Sequence, residues 1–439
     1  MELKHRAHRW KSDAMGVLSR GALACSLVAC AWGAVVLPWA AWTNPDWTRY
    51  SASSVVGVLA LSLLVSPVAS RMTERAAAPS RARVDGVGGS QSQSQYSTGL
   101  ATLKALCMVF VMIIHSKCWK ANFFYNHVVD RAVAMLFVAM GMTGLGASSK
   151  YKLVDRFSIL LEPWYAFVLF NWTYRYVDGS GFIDHYNVME HCTFWVSAVF
   201  GFAPCMGGAW FVFPMLQLLV IIQLLKNRER LIGALVPPMV AVASLSREVL
   251  DTEIHGLTER MTSSVAMDCN MYNSVYTLTW WHRWVGYTLI GMWLSTFRKR
   301  IKRWEWSVPL AAFAMIVSAV MDRIHWRKHP GGCEPCRQHI WEILNHIAGS
   351  ALALAIVLFF DHFQWLSVIR WMGDCSWTVY LGQITALNLL KRDACALVSS
   401  FQHKSKQILY VETLVFLGWI FSKLFARKKM TKAKGKAGL

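Results

Sequence analysis

The chain has 439 residues, 55% of them hydrophobic and only 16% charged, and its 45 Lys and Arg exceed 25 Asp and Glu. A soluble domain carries roughly a quarter charged residues, and a chain with 22 Trp and 22 Phe is too apolar to stay solvated and disordered. Nucleic-acid binders share the basic balance but not this apolar content, so the composition leaves an integral membrane protein whose positive charge marks one side of the bilayer.

A bilayer core needs about 20 mostly apolar residues per helix. In chain order the runs that meet this are Gly21–Trp42, Ser51–Ser70, Thr98–Ile114, Ala132–Ala147, Val154–Tyr174 and Trp210–Leu225. They continue with Leu231–Leu245, Val275–Phe297, Ser307–Met321, Ile340–Phe360, Cys375–Leu390 and Ile408–Phe425. The expected fold is therefore all-α and polytopic, with about twelve transmembrane helices. A further run, Phe194–Pro204, is short. If it crossed the membrane, the basic segments Lys226–Arg230 and Arg298–Arg303 would both lie outside. Reading it as re-entrant or interfacial places most Lys and Arg, and both termini, in the cytoplasm, as the positive-inside rule requires.

The segment 71–96 contains GVGGSQSQSQ, a composition typical of flexible linkers. It separates an N-terminal unit, 1–70, with a basic start and two helices, from a ten-helix body, 97–426. The basic stretch 427–439 follows as a cytoplasmic tail suited to anionic lipid. KHRAHRWK resembles the start of a signal peptide, but the apolar run after it is longer than a signal core, so an uncleaved anchor is expected. Cys333-Glu-Pro-Cys336, near His325, His329 and His339, admits a disulfide, two free thiols or zinc. A lone CxxC is a weak metal signal, and no metal is expected.

Ionisable groups inside spans are costly, about 3 kcal/mol or more at the centre, and mark function by default. The third run carries Lys104 and, eleven positions on, His115. Eleven residues of helix return to within about 20° of the same face, about 16 Å along the axis. Lys104 also fits a snorkelling anchor, and His115 an interfacial histidine. Asp130-Arg131 opens the next run; Arg131 faces the same outer layer as His115 or simply pairs with Asp130. Gly141, Gly144 and Gly146 permit close helix approach. Weaker claims belong to Glu162, before Pro163, to His282-Arg283 among Trp280, Trp281 and Trp284, and to Asn345-His346 in an apolar run. Arg283 stacked on tryptophan is itself an adequate structural role. Asn171-Trp-Thr has the form of a glycosylation sequon.

Lys104-x10-His115 followed by Arg131-Ala-Val-Ala-Met-Leu-Phe-Val-Ala-Met-Gly141-Met resembles the opening of the acyltransferase-3 family, ten-helix membrane O-acyltransferases. Further motifs follow in the family's order. Arg156-x6-Pro163-x-Tyr165 is similar to the entry of its third helix, and Trp210-Phe-Val-Phe-Pro214 to its WFL segment. Trp284-Val-Gly-Tyr-Thr-Leu-Ile-Gly291 resembles its FLLGY-type helix, and Gly373-Asp-Cys-Ser376-Trp-Thr-Val-Tyr380-Leu-Gly-Gln383 its GxxSYxxYLxH pattern. The resemblance covers about residues 97–425. Four positions depart from it: Lys104 replaces arginine, Met140 serine and Gln383 histidine, and the Arg156 segment lacks a second arginine.

The resemblance implies transfer of an acetyl or other acyl group from cytoplasmic acyl-CoA to a hydroxyl of a carbohydrate or glycan on the opposite side. It implies His115 and Arg131 as catalytic residues, with His115 either a general base or a transient acyl carrier. Lys104 and Arg156 would hold the phosphates of acetyl-CoA, and Arg283, Trp210 and Tyr380 would contact substrate. Membrane lipid is the remaining partner, and no nucleic acid is expected. Two other classes stay open: a transporter or channel using Lys104, His115 and Arg131 as an ion or proton path, and an inactive scaffold derived from the acyltransferase fold. Plasma membrane and Golgi or other endomembranes both accept this topology.

Overall fold

The computed structural model describes residues 20, 27, 64–72, 97–116, 123–146, 153–178, 188–199, 210–262, 281–298, 304–326, 335–366, 369–374, 376–383 and 385. The described residues are helical with no strands, as expected where the backbone must satisfy its own hydrogen bonds in lipid. The helices of the body are α1 (Thr98–Ser116), α2 (Ala132–Gly146), α3 (Leu153–Asp178), α4 (Val188–Val199) and α5 (Val212–Leu225). They continue with α6 (Glu229–Thr262), α7 (Trp281–Arg298), α8 (Ser307–Trp326), α9 (Pro335–His362) and the short α10 (Arg370–Asp374). Residues 64–72 and 376–383 are also helical.

Among the described residues four helical segments are long and apolar enough to cross a membrane: Tyr125–Gly144, Glu229–Ser246, Trp304–Met321 and Trp341–His362. Thr98–Ile114 and Val212–Leu225 are apolar but shorter. Most of the first two expected spans, the linker 71–96, the last span Ile408–Phe425 and the tail 427–439 lie outside the described residues. Residues 64–72, which are described, dock on the body: Ser66 donates to the Ala234 carbonyl and Ser70 to that of Arg230, both on or beside the first turns of α6.

The first part of the short apolar run Phe194–Pro204 lies in a described helix. The described helix Val188–Val199 spans about 18 Å, shorter than a bilayer core. Two of its carbonyls accept bonds from α3. The Trp164 indole donates to Ala198 at 2.8 Å and the Tyr165 hydroxyl to Val199 at 2.9 Å.

α2 sits at the centre, packed on α7, α1, α9 and α5. Its closest contact, with α7, rests on two reciprocal glycines. A Cβ on Gly141 would fall on the Thr288 carbonyl oxygen of α7, and one on Gly291 would fall on the Val138 carbonyl oxygen of α2. Small residues let the backbones touch where lipid offers no hydrophobic drive for helix association. Gly99 and Gly373 bring α9 and α10 equally close to α1, at the Val357 and Ala101 carbonyls.

One end of the bundle is tied by Asp361. Its Oδ1 accepts from the Ser97 hydroxyl and the Gly99 N–H, both at 2.8 Å, and its Oδ2 from Arg298 Nη2 at 2.6 Å. Ser97 caps α1 by accepting the Leu100 N–H at 3.0 Å, so Asp361 adds a negative charge to an already capped helix start. Arg370 extends the tie by donating to Thr98 at 3.2 Å. The ends of α7 and α9 and the start of α1 therefore meet on one level. Asp361→Ala leaves Arg298 and the Gly99 N–H without this acceptor; its expected cost is about 2–4 kcal/mol, read as a lowered melting temperature of the detergent-solubilised protein. An unchanged melting temperature would show that the clamp contributes nothing.

Candidate functional site

The opposite end of the bundle holds a cluster of buried polar groups. Just before α2 the backbone makes a single π-helical turn, Tyr125–Val129, closed by the Asp130 N–H on the Tyr125 carbonyl at 2.9 Å. Such turns insert an extra residue and re-aim the side chains beside them. Here His127 and Arg131 are both buried, whereas Asp130 is exposed. Arg131 Nη1 donates to Ser318 of α8 at 2.8 Å, and Nη2 lies 3.4 Å from both His127 Nδ1 and Met321 Sδ. An arginine always carries its protons, so His127 Nδ1 is the acceptor in this contact.

A second imidazole joins this layer from α9. His346 is 1% exposed, and its ring stacks on Tyr287 of α7 at 3.8 Å between centroids and 15° between planes. Its Nδ1 lies 2.8 Å from the Glu342 carbonyl oxygen, which can only accept. The proton is therefore on Nδ1, and Nε2 is a bare acceptor; among the described residues it has no hydrogen-bond partner. Gly286 makes room for the ring, since a Cβ there would come within 2.8 Å of Nε2. Arg131 and Tyr287 meet around Gly349, where a Cβ would lie 3.9 Å from Arg131 Cδ and 3.6 Å from the Tyr287 ring.

The three expected substrate residues fall into one aromatic array. Arg283 Cζ lies 5.8 Å from the Trp284 ring centre, a cation–π distance. Trp210 stacks on the same indole at 5.4 Å, and Phe137 of α2 at 4.9 Å. Tyr380 enters one ring further on, edge-on to Phe211 at 4.4 Å. Arg283 and Trp210 are thus brought together directly and Tyr380 through Phe211, while Trp284 and Tyr287, 6.1 Å apart, link the array to the Arg131–His346 layer.

The remaining expected residues are placed less completely. His115 lies in the last turn of α1, which packs against the π turn carrying His127; its side chain is outside the described residues. Lys104 is half-buried, about 7 Å along α1 from Gly99 by helical rise, toward the Asp361 end. Arg156 is half-buried near the start of α3, with Nη2 buried and without a hydrogen-bond partner among the described residues. Asn171 is 1% exposed and its amide donates to Thr385 at 2.7 Å, which removes it as a glycan acceptor. Glu162 is exposed on α3.

The sequence gave His346 only a weaker claim in an apolar run, marked Gln383 only as a departure from the family pattern, and gave no sign of His127. Gln383 is fully buried, with both amide atoms lacking hydrogen-bond partners among the described residues. Among the described residues no group of three or more His, Cys, Asp or Glu gathers as metal ligands; the side chains of Cys333, Cys336 and His339 lie outside them. No protein-family model, curated protein or solved structure matches the chain.

Proposed function

We propose that the chain is a multi-pass membrane O-acyltransferase of the acyltransferase-3 type. In this reading it moves an acetyl or other acyl group from cytoplasmic acyl-CoA to a carbohydrate hydroxyl on the opposite side. The observation that carries the reading is the buried layer of Arg131, His127 and His346, continuous with the Arg283–Trp284–Trp210 array. Acyl transfer needs a proton acceptor beside the attacking hydroxyl and fixed donors for the developing oxyanion, and this end of the bundle supplies both residue types. Lys104 lies toward the Asp361 end, which the positive-inside rule assigns to the cytoplasm. The two ends then stand for donor entry and acceptor side, with both termini cytoplasmic.

In the reaction the acceptor hydroxyl oxygen attacks the thioester carbonyl as His115 takes the hydroxyl proton. Arg131 stabilises the negative charge on the carbonyl oxygen of the tetrahedral intermediate. That intermediate collapses with cleavage of the C–S bond, and the proton held by His115 passes to the departing thiolate. Arg283, Trp210 and Tyr380 form a surface on which sugar rings stack, and Lys104 and Arg156 hold donor phosphates. Loss of a general base costs about two to four orders of magnitude in rate. His115→Ala is expected to lose acyl transfer to that extent while its elution profile and melting temperature stay those of the wild type; a His115→Ala protein with full transfer activity would overturn the assignment.

A further inference from the structure

The end of the bundle tied by Asp361 also carries a group of exposed tryptophans. Two short 3₁₀ turns lie there, Trp304–Trp306 just before α8 and Gln364–Leu366 just after α9. Trp304 stacks on His362 at 5.5 Å and meets Phe363 edge-on at 5.1 Å, so the first turn sits against the end of α9, at the level of Asp361. Arg370, which donates to Thr98, brings Trp371 to the same level, because Gly99 beside Thr98 donates to Asp361. Trp365 is 77% exposed, Trp306 55% and Trp371 39%. Polar groups stand among them: Glu305 and Gln364 are exposed, and the Arg298–Asp361 ion pair is half-buried. From Trp306, α8 runs away from this level. It belongs to the least buried of the four spanning-length segments, and its exposed residues from Val308 to Val320 are all apolar, Phe313 and Ile316 among them.

An indole has a broad apolar body and one N–H donor, and in membrane proteins tryptophan gathers where hydrocarbon meets headgroups. Exposed tryptophan also marks surfaces on which other proteins dock. Continuity decides between the two. Trp306 leads straight into the exposed apolar face of α8, with only the buried Ser307 between them, and the occupant of such a face on a spanning helix is lipid. We propose that Trp306, Trp365 and Trp371 form a belt seated in the headgroup–acyl boundary of the bilayer. The hydrocarbon core then begins at the first turn of α8, and the Arg298–Asp361 pair stands at its polar edge. Ile316 lies ten residues past Trp306, about 15 Å along the axis and half of a core of about 30 Å. The belt therefore sets Ile316 near the bilayer midplane. This seating is independent of the chemistry proposed for His115 and Arg131.

The test uses the full-length protein in phosphatidylcholine vesicles. The photoreactive residue p-benzoylphenylalanine replaces Trp306, Trp365, Trp371 or Ile316, one site at a time, and mass spectrometry identifies what each site captures. The three tryptophan sites are expected to capture phospholipid on the glycerol or the first chain carbons, and Ile316 to capture it toward the chain ends. Capture of a second copy or another protein at any tryptophan site overturns the proposal, as does capture there toward the chain ends or no capture at all. Ile316 without lipid overturns it too. A conservative variant reads the same depth, because Trp365→Phe keeps an aromatic ring at this exposed position. The fluorescence lost in Trp365→Phe is expected to be a part that lipid brominated near the headgroup quenches more strongly than lipid brominated near the chain ends. Equal or inverted quenching overturns the proposal.

Discussion

Alanine at Gly141 is expected to push α2 and α7 apart and to cost the bundle at least about 3 kcal/mol, with leucine abolishing the folded protein. The added Cβ meets the Thr288 carbonyl oxygen and the Met292 backbone nitrogen. Backbone cannot rotate away as a side chain can, so relief requires the helices to separate along their whole contact. Gly291→Ala strikes Val138 in the same way from the other side and should match it. Gly144→Ala provides the contrast. Its nearest neighbour is Ile222 Cγ2, at 2.5 Å from the added Cβ, so relief needs the shift of one buried side chain rather than of a helix backbone. Melting temperature and monodispersity in detergent read all three. Equal behaviour of Gly141→Ala and Gly144→Ala would show that the α2–α7 contact is looser than described.

The second large effect falls on Arg131. Arg131→Lys keeps the charge but reaches only one of the partners that the guanidinium spans, Ser318, His127 and Met321. If Arg131 stabilises the oxyanion, the loss of its placed donors lowers the transfer rate by about two to three orders of magnitude. Arg131 also ties α2 to α8, so melting temperature must be read beside rate. The reading predicts that the rate collapses while the lysine variant stays folded. A fall in stability with transfer per folded molecule unchanged would make Arg131 a packing residue only.

The glycines of α2 were legible in the sequence because close approach in a membrane needs small residues, and so was the stacking of Arg283 on tryptophan, because the two are adjacent. Asp361 was not. Its acceptors' partners, Gly99 and Arg298, are 262 and 63 positions away, and no local pattern announces a carboxylate that serves two distant helix ends. His346 was visible only as a histidine in an apolar run; its tautomer and bare Nε2 depend on the Glu342 carbonyl and on the space left by Gly286. Among the described residues fewer segments reach spanning length than the hydropathy runs implied, in part because several of those runs lie largely outside the described residues. Within them, α7 opens with the polar His282 and Arg283.

The central claim is acyl transfer across the membrane, and sealed vesicles containing the purified protein test it most directly. Radiolabelled acetyl-CoA is supplied on the face bearing the Lys226–Arg230 loop and an oligosaccharide acceptor on the other. The account predicts label on acceptor hydroxyls, released by mild base, with free thiol accumulating on the donor face, and both lost in His115→Ala. Thiol release and acceptor labelling absent in the wild type, with proton or solute uptake in their place, would contradict it.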